Sequence, residues 1–380
     1  MNKILKIIIL SSILLISGCT KSLIKLVLID EANSHLMFGK NTYREFFNPI
    51  TISDSLQEIW ESEVYGGFTN NSIIYKDSII IIGDLGGRIH CFNIETGKPV
   101  GVLKSKGSVY STPLIINYKL IYALVDQNEN LTELIYYDMS NGKELKIVEL
   151  DGKVLTQMLL DNDNIVLCTE NGKVKKYSGS GKLIWEFNTK TKIYSNPAVI
   201  KNTLLIANDN GEIISLNSET GKQNYIVKIG NPFFAGITID KSNAYIADNS
   251  GVIYSLNIET GKILWSFKTS ARILMNSAID DQNLFIGNLN GDLYAIDKIF
   301  GKLIWKSQLD GSLNSTPLVT NNRIIISNLF KKFTIVNKDN GNITKNYELD
   351  ARCRLSPVII DDKLIIGYDD GVLRAYEFVY

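Results

Sequence analysis

The sequence is poor in the residues from which most enzyme sites are built. Only two histidines, His35 and His90, occur in 380 residues, which leaves little material for a Ser-His-Asp triad or a histidine-based zinc site. The four cysteines include no CxxC pair, and no HExxH stretch occurs. Neither charge sign is in excess: 40 Lys and Arg balance 40 Asp and Glu. Nothing therefore favours a phosphate backbone, and no nucleic acid is expected as a partner. Seven prolines and a 45% apolar composition describe an ordinary globular chain. Long apolar runs are scarce apart from one at the N-terminus.

That run, within Met1 to Gly18, carries Lys3 and Lys6, then an apolar core from Ile7 to Ile16 and small residues before Cys19. It reads as a secretory signal over residues 1–18, too short for the roughly 20 apolar residues a span needs; an uncleaved anchor helix is the alternative. Ile16-Ser17-Gly18-Cys19 resembles the bacterial lipobox, which implies cleavage before Cys19 and acylation of that cysteine. Thr20 rather than Asp follows. By resemblance to bacterial lipoproteins, that implies a chain lipid-anchored at the outer membrane and facing the periplasm. Cys91, Cys168 and Cys353 remain, an odd set in apolar surroundings that reads as buried small hydrophobes. Residues 19–47 read as a flexible tether, although the apolar stretch Leu23 to Ile29 also admits an accessory strand or an extension of the signal.

From residue 48 to 380 a repeat organises the chain. NGKVKKYSGSGKLIW (171–185), NGEIISLNSETGKQNY (210–225), SGVIYSLNIETGKILW (250–265) and NGDLYAIDKIFGKLIW (290–305) align, with Gly181, Gly221, Gly261, Gly301 and Gly341 spaced by 40 residues. Gly97 and Gly142 extend the register backward. A period near 40 marks a solenoid, propeller or array. Within each unit the apolar pattern has period two, in runs of about five residues, so the elements are strands. Asn171-Gly172, Asn210-Gly211, Asn290-Gly291 and Asp370-Gly371 suit tight hairpin turns that need positive φ. A fourth run carries an aromatic: Trp185, Tyr225, Trp265 or Trp305. Four antiparallel strands per 40 residues make a β-propeller blade.

Third strands begin near residues 87, 132, 172, 211, 251, 291, 331 and 371, giving eight blades. The eighth ends after its third strand, while Leu56 to Glu63 is an orphan fourth strand with Trp60 in the aromatic position. The fold expected is all-β, an eight-bladed β-propeller of four-stranded antiparallel blades whose last blade is closed by an N-terminal strand. The remaining motifs are structural. Asp161, Asp163 and Asn164 lack the glycine and glutamate of an EF-hand loop, Gly179 to Lys182 is the repeat's own turn rather than a phosphate loop, and His90 replaces a strand tyrosine.

The blade motifs, Ala295 to Trp305 and Leu-Asn-x-Glu-Thr-Gly-Lys at Leu216 to Lys222 and Leu256 to Lys262, resemble those of quinoprotein-alcohol-dehydrogenase-like (PQQ-like repeat) propellers over residues 56–380. One branch of that family holds quinone-dependent dehydrogenases, which the resemblance would equip with vicinal cysteines, calcium ligands and a catalytic Asp. Here no two cysteines are adjacent and no lid-sized insertion occurs. The size, blade number and lipobox resemble the other branch, BamB-like lipoproteins of outer-membrane β-barrel assembly. That resemblance implies a non-enzymatic scaffold without cofactor, bound to the periplasmic domains of a BamA-like barrel protein and assisting unfolded outer-membrane proteins. The alternative is a periplasmic quinone-dependent dehydrogenase or a sensor propeller. By repeat count, the family's partner loops fall at Lys190 to Asn196 and Lys228 to Phe234, with Lys192, Ile193, Tyr194, Ile229, Asn231, Phe233 and Phe234 as contact residues. The family's Leu-x-Leu-Arg and Asp-x-Asp patterns are missing there. Phe233 and Phe234 read either as an apolar anchor or as packing between blades.

Overall fold

The structure, a computed structural model, describes residues 24–26 and 34–380. The signal segment and Cys19 lie outside the described residues. The described chain folds into eight four-stranded antiparallel sheets, one per blade. Blade four is typical: Ala198–Ile200, Thr203–Ala207, Glu212–Asn217 and Gln223–Lys228 run from the centre outward. Its second and third strands are buried on both sides because neighbouring blades cover both faces, which explains the runs Leu-Leu-Ile-Ala and Ile-Ile-Ser-Leu. The outer strand alternates exposed and half-buried residues.

Each blade has two kinds of turn at opposite ends. Between second and third strands, Asn208 Oδ1 accepts the amides of Asn210 and Glu212, and Gly211 takes φ +77°. Between third and outer strands, Asn217 Oδ1 accepts the amides of Glu219 and Thr220, and Gly221 takes φ +69°. Antiparallel order puts all turns of the second kind on one side of the disc, the turn face, together with the links from inner to second strands. The connections from each outer strand to the next blade lie on the opposite side, the loop face.

The repeat's Gly and aromatic are one joint between blades. Trp185 of blade three donates through Nε1 to the Ser218 carbonyl of blade four at 2.9 Å. Its ring lies where a Cβ on Gly221 would come within 2.7 Å. Trp265 repeats this on Lys298 and Gly301, Trp305 on Lys338 and Gly341, and Tyr225 on Ile258 and Gly261. Only a residue without Cβ leaves room for the indole and also tolerates the positive φ.

The same joint closes the ring. Ser55–Glu63 pairs antiparallel with Val372–Val379 as the outer strand of blade eight, and Trp60 donates to the Ile94 carbonyl of blade one at 2.7 Å. Arg374 of the C-terminal strand pairs with Glu61 at 2.6 Å. Both ends of the repeat region are thereby locked into one blade.

Residues 34–47 correct the expectation of a free tether. They are folded into the central channel as a plug. Main-chain amides of Val199, Ile239, Ile279 and Val319, on the inner strands of blades four to seven, donate to the carbonyls of Thr42, Tyr43, Glu45 and Phe46. Phe38 and Phe46 pack edge to face at 4.9 Å inside the largest core cluster. Arg44 is fully buried and donates to the carbonyls of Pro197, Phe38, Gln157 and Met158 at 2.7–3.3 Å. The reason is burial: eight short inner strands leave an axial space that apolar side chains fill better than water. The chain leaves over the turn face of blade seven, where Ile52 exchanges hydrogen bonds with Asn322.

Candidate functional site

The loop face carries the residues expected to meet a partner, and the structure divides them. Ile193 and Phe233 are fully buried. Phe233 packs edge to face on Tyr254 at 6.3 Å in the core between blades four and five, so the expected anchor role is corrected to packing. Its loop is pulled inward by an antiparallel bridge between Phe233 and Asp248. Ile193 is held likewise, its amide bonded to the Glu170 carbonyl.

Tyr194 and Phe234, by contrast, are half-buried and come together. They sit at equivalent positions in consecutive loops and stack at 5.3 Å with an interplanar angle of 16°. Lys192 and Asn231 are exposed beside them and Ile229 is half-buried. Asn231 is not free to swing, because both its amide and its Nδ2 donate to Asp248 Oδ2 at 3.1 Å. Burial would raise the Asp248 carboxyl, but hydrogen bonds from Ser250, Val252 and Asn231 outweigh it and hold the group below its usual range. The result is a preorganised apolar step, one aromatic pair wide, rimmed by an amide and a lysine. Elsewhere on the same face Tyr65 and Phe330 are 74% and 63% exposed.

Sequence reasoning missed Phe330 and the plug. The signal for Phe330 is a departure from the repeat: Phe330-Lys331 stands where other blades have an Asn-Gly type turn. The plug's signal is the apolar pairs Met37-Phe38 and Phe46-Phe47 in a stretch otherwise read as linker.

A quinone site fits these residues poorly. Among the described residues no group of three or more His, Cys, Asp or Glu could hold a metal ion, and Cys91, Cys168 and Cys353 are separately buried thiols. Burial pushes the thiols of Cys168 and Cys353 up to about 12, so they are inert rather than reactive. A cavity of about 220 Å³ beside the plug is lined by His35, Lys40, Tyr75 and Asp361, where the Tyr75 hydroxyl already donates to Asp361 at 3.1 Å. Asp161, at the end of the inner strand of blade three, is paired with the buried Lys176 of the third strand at 2.9 Å, and His90 lies 2.9 Å from Asp84 inside blade one.

The fold and its repeated joint define an eight-bladed β-propeller of the PQQ-like repeat class. The chain belongs to the family described as outer membrane protein assembly factor BamB, whose profile matches residues 170–278 and again 270–378. Among solved structures it is similar to BamB from Moraxella catarrhalis, with 16% identity and a TM-score of 0.73 over 85% of this chain and 100% of that one. It is also similar to the quinohemoprotein alcohol dehydrogenase from Comamonas testosteroni, with 10% identity and a TM-score of 0.76 over 92% of this chain and 81% of that one. At such identities both likenesses speak for the fold alone. A curated relative, an uncharacterized protein of Rickettsia conorii, is 23% identical over 173 residues, and the match spans 42% of this chain and 41% of that protein.

Proposed function

We propose that the protein is a non-enzymatic scaffold in the assembly of outer-membrane β-barrel proteins, lipid-anchored through Cys19 at the outer membrane and facing the periplasm. In this reading the loop face docks on the periplasmic domains of a BamA-like barrel protein, and the bound disc assists unfolded outer-membrane proteins as they are inserted. Family membership supplies the assembly context. The observation that carries the docking surface is the half-buried stack of Tyr194 on Phe234, which falls in the two loops the family resemblance singles out. Stacked aromatics on a rigid support suit an interface because they bury much area at little cost in conformational entropy.

Recovery of the tagged lipoprotein from native membranes in mild detergent tests this. A large outer-membrane barrel with periplasmic repeat domains is expected in near-stoichiometric amount, and it is expected to be lost from Tyr194→Ala/Phe234→Ala. Recovery of the intact propeller without any such barrel refutes the reading. A quinone absorption band in the purified protein would put the dehydrogenase reading in its place.

A further inference from the structure

Ile299 and Phe300 are 64% and 67% exposed at the tip of the third-to-outer turn of blade six. Blades one, four and five have Glu-Thr at the same two positions: Glu95-Thr96, Glu219-Thr220 and Glu259-Thr260. The tip is held rigidly. Both its amides donate to Asp297 Oδ1, at 2.9 and 2.8 Å, and Lys298 beneath it is paired with Asp240 at 2.7 Å. Lys302 lies 5.9 Å from the Phe300 ring. A two-residue apolar tip flanked by a lysine is too small for a standard protein interface but matches the interfacial zone of a bilayer, which takes up apolar side chains beside cationic ones.

The path of the N-terminal chain says which surface this tip meets. Ile24 is fully buried, and its carbonyl accepts the Tyr137 hydroxyl at 2.8 Å. The Leu26 amide donates to the Met139 carbonyl. Met139 opens the third-to-outer turn of blade two, so the chain is fixed to the turn face between blades one and two. Four residues lie between Cys19 and Ile24, and five fully extended Cα-to-Cα steps reach about 17 Å. An acyl group on Cys19 therefore keeps the turn face within about 17 Å of the membrane surface at that point. Blade six lies nearly across the ring, on the same face. Two contacts on opposite sides of the disc hold it flat.

We infer that the turn face is apposed to the phospholipid bilayer, with Ile299 and Phe300 inserted at its surface, and that the loop face points into the periplasm. The inference rests on acylation of Cys19, part of the function proposed above. It goes beyond that reading by fixing which side of the disc meets lipid.

The experiment uses the full lipoprotein in vesicles of phosphatidylethanolamine and phosphatidylglycerol. Phe300→Cys carries an environment-sensitive fluorophore, and Phe330→Cys on the loop face serves as comparison. Cys91, Cys168 and Cys353 are buried and do not compete for label. The label at 300 is expected to shift to the blue and to be quenched by spin-labelled lipid, while the label at 330 stays aqueous. In unlabelled protein, Ile299→Glu/Phe300→Thr restores the turn of the neighbouring blades and so keeps the fold. It is expected to raise the reaction of Lys302 with a water-soluble amine reagent on vesicles at least fivefold. A chain that floats with vesicles but keeps an aqueous label at 300 overturns the apposed face while leaving the anchor intact. A chain that fails to float overturns the anchor and the apposed face together.

Discussion

Arg44 concentrates the cost of the plug in one side chain. Its guanidinium is fully buried with four hydrogen bonds, all to main-chain carbonyls, and burial draws its pKa down to about 9, so it stays charged at neutral pH. Removing it leaves those carbonyls without donors inside the disc. Arg44→Ala is expected to lower stability by roughly 3 kcal/mol, read from urea unfolding, whereas Lys192→Ala on the exposed loop should change it by less than about 0.5 kcal/mol. His35 gives the plug a pH dependence. Burial, and after it Lys40, lower its pKa to about 4, against about 6.5 in the unfolded chain. The unfolded state therefore binds the proton more tightly, and stability falls as pH drops from about 6.5 toward 4, by at most about 1.4 kcal/mol per unit from this group. Melting at pH 7 and pH 5 should show a smaller loss in His35→Asn than in the parent. At the blade joints, Gly221→Ala faces both the Trp185 ring at 2.7 Å and a φ of +69°, a combination expected to cost about 2 kcal/mol.

Among the elements, the N-terminal strand Ser55–Glu63 was the most legible in advance, because blade eight visibly lacked a fourth strand and Trp60 sat in the aromatic position. Its ladder with Val372–Val379 and its indole bond to Ile94 make it structural in two blades at once. A chain beginning at residue 64 is expected to melt at least about 10 °C lower; a melt within a degree or two of the parent would show that the ring does not need closure. Period-two patterning and the spacing of Gly221, Gly261 and Gly301 were enough to read the blades, since every strand repeats the same environment. The loops were less legible because side-chain direction there depends on which residue the backbone turns inward. Phe233 and Phe234 are chemically identical neighbours, yet the bridge to Asp248 buries the first and leaves the second to stack on Tyr194. Phe233→Ala is accordingly expected to lower the melting temperature, while Phe234→Ala should spare it and weaken partner recovery. The plug was illegible for a different reason: it occurs once, so no repeat reveals it, and its partners lie more than 100 residues away in sequence.

For the whole molecule, the topology separates two surfaces. Third-to-outer turns, the docked Ile24 and the Ile299-Phe300 tip share one side; the Tyr194-Phe234 stack, Tyr65 and Phe330 share the other. A disc of interlocked blades keeps those sides apart rigidly, as the proposed scaffold between a membrane and a protein partner requires. The most direct test is photo-crosslinking in native membranes from a probe placed in turn at Tyr194, Phe234 and Phe300. A crosslink to an outer-membrane barrel protein is expected from Tyr194 and Phe234 and none to that protein from Phe300. A barrel crosslink from Phe300 alone, or from none of the three, would contradict this expectation.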